Sequence, residues 1–442
     1  MHAKAVARAD RGARWSERVD AETAGYSSQT LARVVPGELC SGCGACAGLA
    51  PEAVEMRVSE AGFLRPVETG PVPAAAEAAI AAACPGREVR QQRPEGRRDD
   101  PLWGPYLEMR TGHATDPELR YSGSSGGALS ALLMHLLETG SVDAVIETGA
   151  DPARPLGNRP LRARTRAEIL AGAGSRYAPS APLADLSALL GDERRFAFVG
   201  KPCDVSALRA LERRDPRVAA RFPYMISFFC AGVPSLAGAR EILRGLGVEE
   251  GEVAAFRYRG EGWPGHAKAR LHDGREARMS YADSWGGILS RHVQLRCRIC
   301  PDGTGGAADV VCADAWETDA RGYPVFEERD GVSLVVSRTQ RGEALVRAAG
   351  SAGALALGPF DPAELAAIQP GQTGKRRYTL ARTLGLRLLG RPAPRYRGFH
   401  LGRNALRAGP VANLRNLLGT MRRVVLRSRR ARAGVRGGAD RG

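Results

Sequence analysis

The chain has 442 residues, 43% hydrophobic and 25% charged, an ordinary globular composition with room for two or three cored domains. Its net charge of +16 is uneven: residues 371–442 hold 19 Lys+Arg against one acid, leaving the first 370 residues at −2. No apolar leader and no run of eighteen or so apolar residues is seen, so neither a secretory signal nor a membrane span is expected, and the nine cysteines point to reduced, metal-bound thiols in a cytoplasmic protein.

Residues 1–30 read as a loose lead-in. A first module, residues 31–95, opens on Cys40-Ser-Gly-Cys43-Gly-Ala-Cys46. The C-x₂-C-x₂-C spacing is an iron–sulfur signature, whereas tetrahedral zinc favours isolated pairs. A bacterial ferredoxin motif would place a fourth Cys-Pro four residues on, but that slot is Ala50-Pro51. Cys84-Pro85 offers the missing ligand, so Cys40, Cys43, Cys46 and Cys84 read as one [4Fe–4S] site. A zinc knuckle or a disulfide framework is the plainer alternative. Residues 53–58 alternate like a small strand, 73–83 form an Ala-rich helix delivering Cys84, and 86–101 read as a polar linker.

Strand and helix signals then alternate, which predicts an α/β domain with a mixed or parallel sheet, divided here as 102–200 and 201–370. A helix over 124–137 opens on Ser122-Gly123-Ser124-Ser125-Gly126-Gly127, where backbone N–H groups and the helix dipole suit an anion. The loop matches neither a P-loop nor G-x-G-x-x-G, and a simple helix-capping turn would use the same residues. Strands follow at 142–148, 195–199 and 224–229, with helices at 166–173, 183–190 and 205–213. The strand at 195–199 runs into Gly200-Lys201-Pro202-Cys203, where open α/β sheets bind ligands. Lys201, one of four lysines, suits an anionic cofactor or reduced flavin; an ordinary solvated lysine is the other reading.

Cys203, Cys230 and the pair Cys297/Cys300 supply four more thiols, enough for a second cluster gathered from three segments. Cys230 fits equally a small buried hydrophobe ending a strand, and Cys312 reads as one. Residues 253–285 look irregular, 310–316 and 331–337 read as strands, and 341–349 as a helix. The segment 371–442 reads as a basic helical tail, partly disordered, with amphipathic stretches at 380–389 and 414–426. Packing with a solvated basic end ranks first for it, peripheral contact with a membrane surface second, and nucleic acid is disfavoured for lack of aromatics or a binding motif.

Ser-Gly-Gly opening a helix, Gly-Lys-Pro-Cys, Phe-Cys-Ala-Gly-Val-Pro-Ser, Tyr-Arg-Gly-Glu-Gly-Trp-Pro-Gly and Cys-Arg-Ile-Cys-Pro-Asp-Gly-Thr-Gly occur in series. Over about Cys40 to Arg347 the chain thereby resembles the coenzyme F-420 hydrogenase/dehydrogenase beta-subunit family. The resemblance implies an iron–sulfur flavoprotein oxidoreductase with a ferredoxin-like module beside a flavin domain. It assigns Ser122 through Gly127 to FAD phosphates and Cys203, Cys230, Cys297 and Cys300 to an inner [4Fe–4S] cluster. Two clusters and FAD would form a wire between a ferredoxin-type carrier and a small-molecule substrate, or the chain would serve as the electron-transfer subunit of a larger complex. Lys201, Tyr258 and Trp263 are candidate catalytic groups, and Arg259 and Trp285 join Tyr258 and Trp263 as candidate walls for flavin or substrate. Core packing explains the same aromatics.

Overall fold

The computed structural model describes residues 25–92, 96, 98–319 and 325–439, with side chains to 426. The lead-in residues 1–24 and the last three residues of the tail lie outside the described residues.

Strand Phe196–Gly200 is apolar at every position and buried at every position, the pattern of a strand covered on both faces. It centres an eight-stranded mixed sheet. The order across the sheet is Leu355–Pro359, Glu108–Ala114, Ser333–Ser337, Val310–Asp314, Tyr224–Phe228, Phe196–Gly200, Ala144–Asp151 and Arg154–Ala163. The four strands starting at 144, 196, 224 and 310 are mutually parallel, and antiparallel strands extend both edges. Period-two alternation divides the core into two layers. Phe196, Phe198, Met225 and Val311 join one, while Ala197, Val199, Ile226 and Val310 join the other. Helix Ala128–Glu138 belongs to the second layer and helix Pro202–Glu212 to the first.

The cysteine-rich N-terminal part is not a separate body. Cys43, Ala45 and Ala83 are embedded in the first layer's core. Gly44, at φ +84°, turns the loop where a Cβ would stand 2.8 Å from the Ala184 amide nitrogen, which locks the thiol loop against the sheet domain. A two-stranded ribbon, Val54–Val58 with Leu64–Glu68, and helix Ala74–Ala83 complete this part.

Two expectations need correction. The supposed linker at 86–101 contains paired strands: Glu88–Arg90 runs parallel to Arg395–Arg397, and Arg98–Asp100 pairs with Gly104–Tyr106. The irregular region after 253 holds a three-stranded antiparallel sheet, Val253–Arg257, Ala267–Leu271 and Glu276–Met279. In the tail, helix Pro370–Leu388 packs on the domain and carries buried Arg376, Thr379 and Thr383, and helix Pro410–Ala439 packs on it in turn. No helix among the described residues is long and apolar enough to cross a membrane.

Candidate functional site

All nine cysteines are free. Cys40, Cys43, Cys46 and Cys84 line one small cavity with Leu31, Val34, Ile80 and Pro85. Cys203, Cys230, Cys297 and Cys300 line another with Arg296, Asp302 and Lys375. Cys312 is in neither; it sits in a buried strand opposite Val335. The eight thiols thus converge as two foursomes, Cys230 included.

Among the described residues no three Cys, His, Asp or Glu side chains are close enough to hold a single metal ion. Four thiols around one cavity are a donor set of the kind a multi-iron cluster takes, each sulfur binding its own iron. Burial pushes the Cys43 thiol up to about 12, Cys84 to about 11 and Cys230 to about 12. Such thiols stay protonated unless a metal captures the thiolate.

The second foursome is ringed by cations. Arg296, 1% exposed, donates to the Pro85 carbonyl at 2.8 Å, directly after Cys84, and so ties the two thiol sites together. Lys375 Nζ donates to the carbonyls of Cys230 (2.8 Å) and Ala231 (2.7 Å), and Gln372 Nε2 to that of Cys230 at 3.1 Å. Lys201 Nζ meets Asp204 at 2.8 Å and Ser180 Oγ at 2.7 Å. Burial opposes charge on Lys201, but the Asp204 carboxylate more than offsets it and lifts the ammonium above the ordinary lysine range. Two N–H groups point at Cys297 Sγ, from Val233 and from the Gln294 side chain, each at 3.4 Å.

A third, larger cavity of about 260 Å³ opens at the C-terminal ends of the parallel strands, where α/β sheets bind ligands. The helix-opening loop contributes Gly123, Ser124, Ser125 and Gly127 to its wall. Gly127 takes φ +70° and packs where a Cβ would be 2.5 Å from the Leu119 carbonyl oxygen. Ser122 and Gly126 stand behind the wall: the Ser122 carbonyl accepts from Arg257, and the Gly126 amide donates to Ser333 Oγ. Ser125 Oγ bonds the Ala313 and Val332 carbonyls, each at 3.1 Å, so its hydroxyl anchors the loop. Backbone amides at the helix mouth are therefore the loop's offering to an anion.

Opposite lies an aromatic wall. Arg259 forms a bidentate pair with Asp314 at 2.8 and 2.9 Å and lies over the rings of Tyr281 (4.6 Å) and Trp316 (5.0 Å). Arg259, Tyr281, Trp285 and Trp316 all face the cavity. Two sequence candidates do not. Tyr258 is buried in the small sheet with its hydroxyl on the Leu156 carbonyl at 2.7 Å. Trp263 stacks behind Trp316 at 4.8 Å and donates to Asp314. The Leu156 carbonyl holds the Tyr258 hydroxyl, and the Trp316 ring and Asp314 hold Trp263.

The three cavities form a series. Ser41 borders both thiol cavities, while Cys230, Gly232 and Val233 border the inner thiol cavity and the large one. Buried polar atoms lacking a partner stand along it: Ser41 Oγ between the thiol sites, Glu147 Oε1 and Gln372 Oε1 at the large cavity. Orphaned atoms at cavity walls fit sites built for a bound group.

Glu147 escapes sequence inspection because it reads as one residue of an ordinary strand. It is 5% exposed beside Gly172, whose absent Cβ would lie 2.5 Å from Oε1. Burial pushes its carboxyl up to about 8. Between the ordinary value of 4.5 and 8, the folded protein holds a proton that the unfolded chain has released. Stability therefore falls as pH rises through this window, by about 1.4 kcal/mol per pH unit, and levels off above it. Urea unfolding from pH 5 to pH 8 should show that slope, and Glu147→Gln should remove most of it; a slope indifferent to the substitution contradicts the assignment.

Similarity to known proteins places the chain in the oxidoreductase class, as an electron-transfer component. Two family models, the N-terminal and the C-terminal part of "Coenzyme F420 hydrogenase/dehydrogenase, beta subunit", match residues 109–187 and 193–363 respectively, more than half of the chain. The chain belongs to the coenzyme F420 hydrogenase/dehydrogenase beta-subunit family. It is 26% identical over 306 residues to the coenzyme F420 hydrogenase subunit beta of Methanococcus voltae, covering 66% of this chain and 99% of that one. It is 25% identical over 209 residues to the chloroplastic 7-hydroxymethyl chlorophyll a reductase of Oryza sativa subsp. japonica, 47% of this chain and 41% of that protein. Among solved structures, a chain of the F420-reducing [NiFe] hydrogenase complex from Methanosarcina barkeri aligns with TM-score 0.48 and 23% identity over 64% of this chain and 96% of that chain.

Proposed function

We propose that the chain is an iron–sulfur flavoprotein of this family. Cys40, Cys43, Cys46 and Cys84 hold one [4Fe–4S] cluster, Cys203, Cys230, Cys297 and Cys300 a second, and the large cavity holds FAD. The observation that carries the reading is the series of adjoining cavities, two walled by four thiols each and the third opening on a glycine-rich helix mouth. When bound, the clusters supply one-electron transfer and the flavin couples it to two-electron chemistry.

The chain's own residues then have distinct tasks. The Ser124, Ser125 and Gly127 amides receive the cofactor's phosphates, Arg259 and the aromatic wall bound the space for its ring and a small substrate, and Lys201, Arg296 and Lys375 balance negative charge around the inner thiols. Electrons enter from a ferredoxin-type carrier or from a partner subunit. The second source is favoured by the relative whose name makes it one subunit of a hydrogenase.

Anaerobic purification followed by iron, sulfide and flavin assays tests the reading. Matched iron and acid-labile sulfide with FAD released on denaturation are expected; a protein carrying zinc alone would overturn it. The Gln294 contact gives a finer check. A net hydrogen bond of about 1 kcal/mol to a cluster ligand corresponds to roughly 40 mV for one electron. Since N–H donors favour the more negative, reduced state, Gln294→Leu should lower one cluster potential by about that amount in a redox titration.

A further inference from the structure

We infer that the C-terminal helices form a docking surface for an anionic lipid bilayer. Residues 365–439 contain 18 Lys+Arg and no carboxylate, whereas residues 1–370 sum to −2, so the molecule's charge is directional. Helix Leu401–Ala408 and the 410–426 part of helix Pro410–Ala439 carry large apolar side chains on their solvent side. The inward side of the last helix is partly polar: Asn416 accepts from Arg382 at 3.1 Å, and Thr420 is 1% exposed beside buried Val424. The outward side presents Leu406 (84% exposed), Val411 (80%), Leu414 (57%) and Leu418 (54%). Exposed Arg403, Arg407, Arg415 and Arg422 are interleaved with them.

A helix stabilised only by packing on its own domain would bury such leucines and solvate its polar side. Apolar side chains at this exposure, interleaved with arginines on two consecutive helices, match helices lying at a membrane interface, with apolar side chains in the acyl boundary and guanidinium groups at the headgroup phosphates. Nucleic acid would use the arginines but gain nothing from the leucines. No described helix can span a bilayer, so the chain would lie on the surface. This surface lies beyond the family match, which ends at residue 363, and does not depend on which cofactors the body holds.

Flotation of the full chain with vesicles of phosphatidylcholine plus phosphatidylglycerol tests the idea. Capture is expected on these vesicles, weak on phosphatidylcholine alone, and released by salt as the Debye length contracts. Replacing Leu406, Val411, Leu414 and Leu418 together by Ser should weaken partitioning about a hundredfold. Those side chains face solvent, and an unchanged circular dichroism spectrum verifies folding. A second variant, Arg403→Gln with Arg407→Gln, Arg415→Gln and Arg422→Gln, should lose the preference for anionic lipid. No capture of the wild type, equal capture on phosphatidylcholine alone, capture indifferent to the leucine substitutions, or displacement by duplex DNA would each overturn the proposal.

Discussion

Cys230→Ala should halve the iron and sulfide content, leave flavin in place, and reduce flavin reduction by an external one-electron donor to background. Cys230 borders both the inner thiol cavity and the large cavity, so it stands where current would pass from one to the other. Its backbone is fixed from three sides: its amide donates to the Gly303 carbonyl at 2.8 Å, and its carbonyl accepts from Lys375 and Gln372. That clamp suits a ligand whose sulfur must be held in place, and it is more than a small buried hydrophobe requires. Cys312→Ala is the matched control. Cys312 is buried too and lines the large cavity, but it borders neither thiol cavity, and its strand pairs it with Val335. Iron should be unchanged there, with at most a small packing cost. Equal iron loss in the two variants, or none in Cys230→Ala, would dissolve the second cluster.

The contrast between these two cysteines shows what was legible in the sequence. The spacing of Cys40, Cys43 and Cys46 is local, and local spacing survives folding, so that site was readable at once. Strands such as 195–199 were equally plain, because a strand buried on both faces is a continuous apolar run. Strand Arg154–Ala163 is not: it pairs on one side only, at the sheet's edge, and its exposed positions carry Arg. The three strands after 253 are only four or five residues long, and the first exposes two consecutive alanines, so each offers too short a run for the alternation to stand out. Tyr258 and Trp263 sit in a distinctive motif, but the residue of that motif on the cavity wall is Arg259, paired with Asp314 and lying over two rings. Gln372 and Lys375 were invisible for a different reason. A side chain bonded to a distant carbonyl leaves no periodic trace, and the segment's excess of arginine suggested a solvated end.

Lys201 is where structure and chemistry are hardest to separate, and one pair of variants separates them. Its ammonium lies against Asp204, which is fully buried one residue beyond Cys203. Lys201→Met leaves that carboxylate without a counter-charge, a loss of about 3–5 kcal/mol for a buried pair broken on one side. Adding Asp204→Asn removes the orphaned charge and should recover most of the stability, because Asn can still accept from the Lys201 backbone amide that now meets Asp204 at 2.9 Å. Electron transfer need not follow. If the lysine serves only to neutralise Asp204, the double variant regains both stability and flavin reduction. If its charge is directed at the bound group, the double variant folds normally yet keeps a lowered cluster or flavin potential. The second outcome is expected: Lys201 lines the large cavity as well as contacting Asp204, and Asp204 alone needs no cation reaching that wall. A double variant with wild-type potentials would reduce Lys201 to a structural counter-ion.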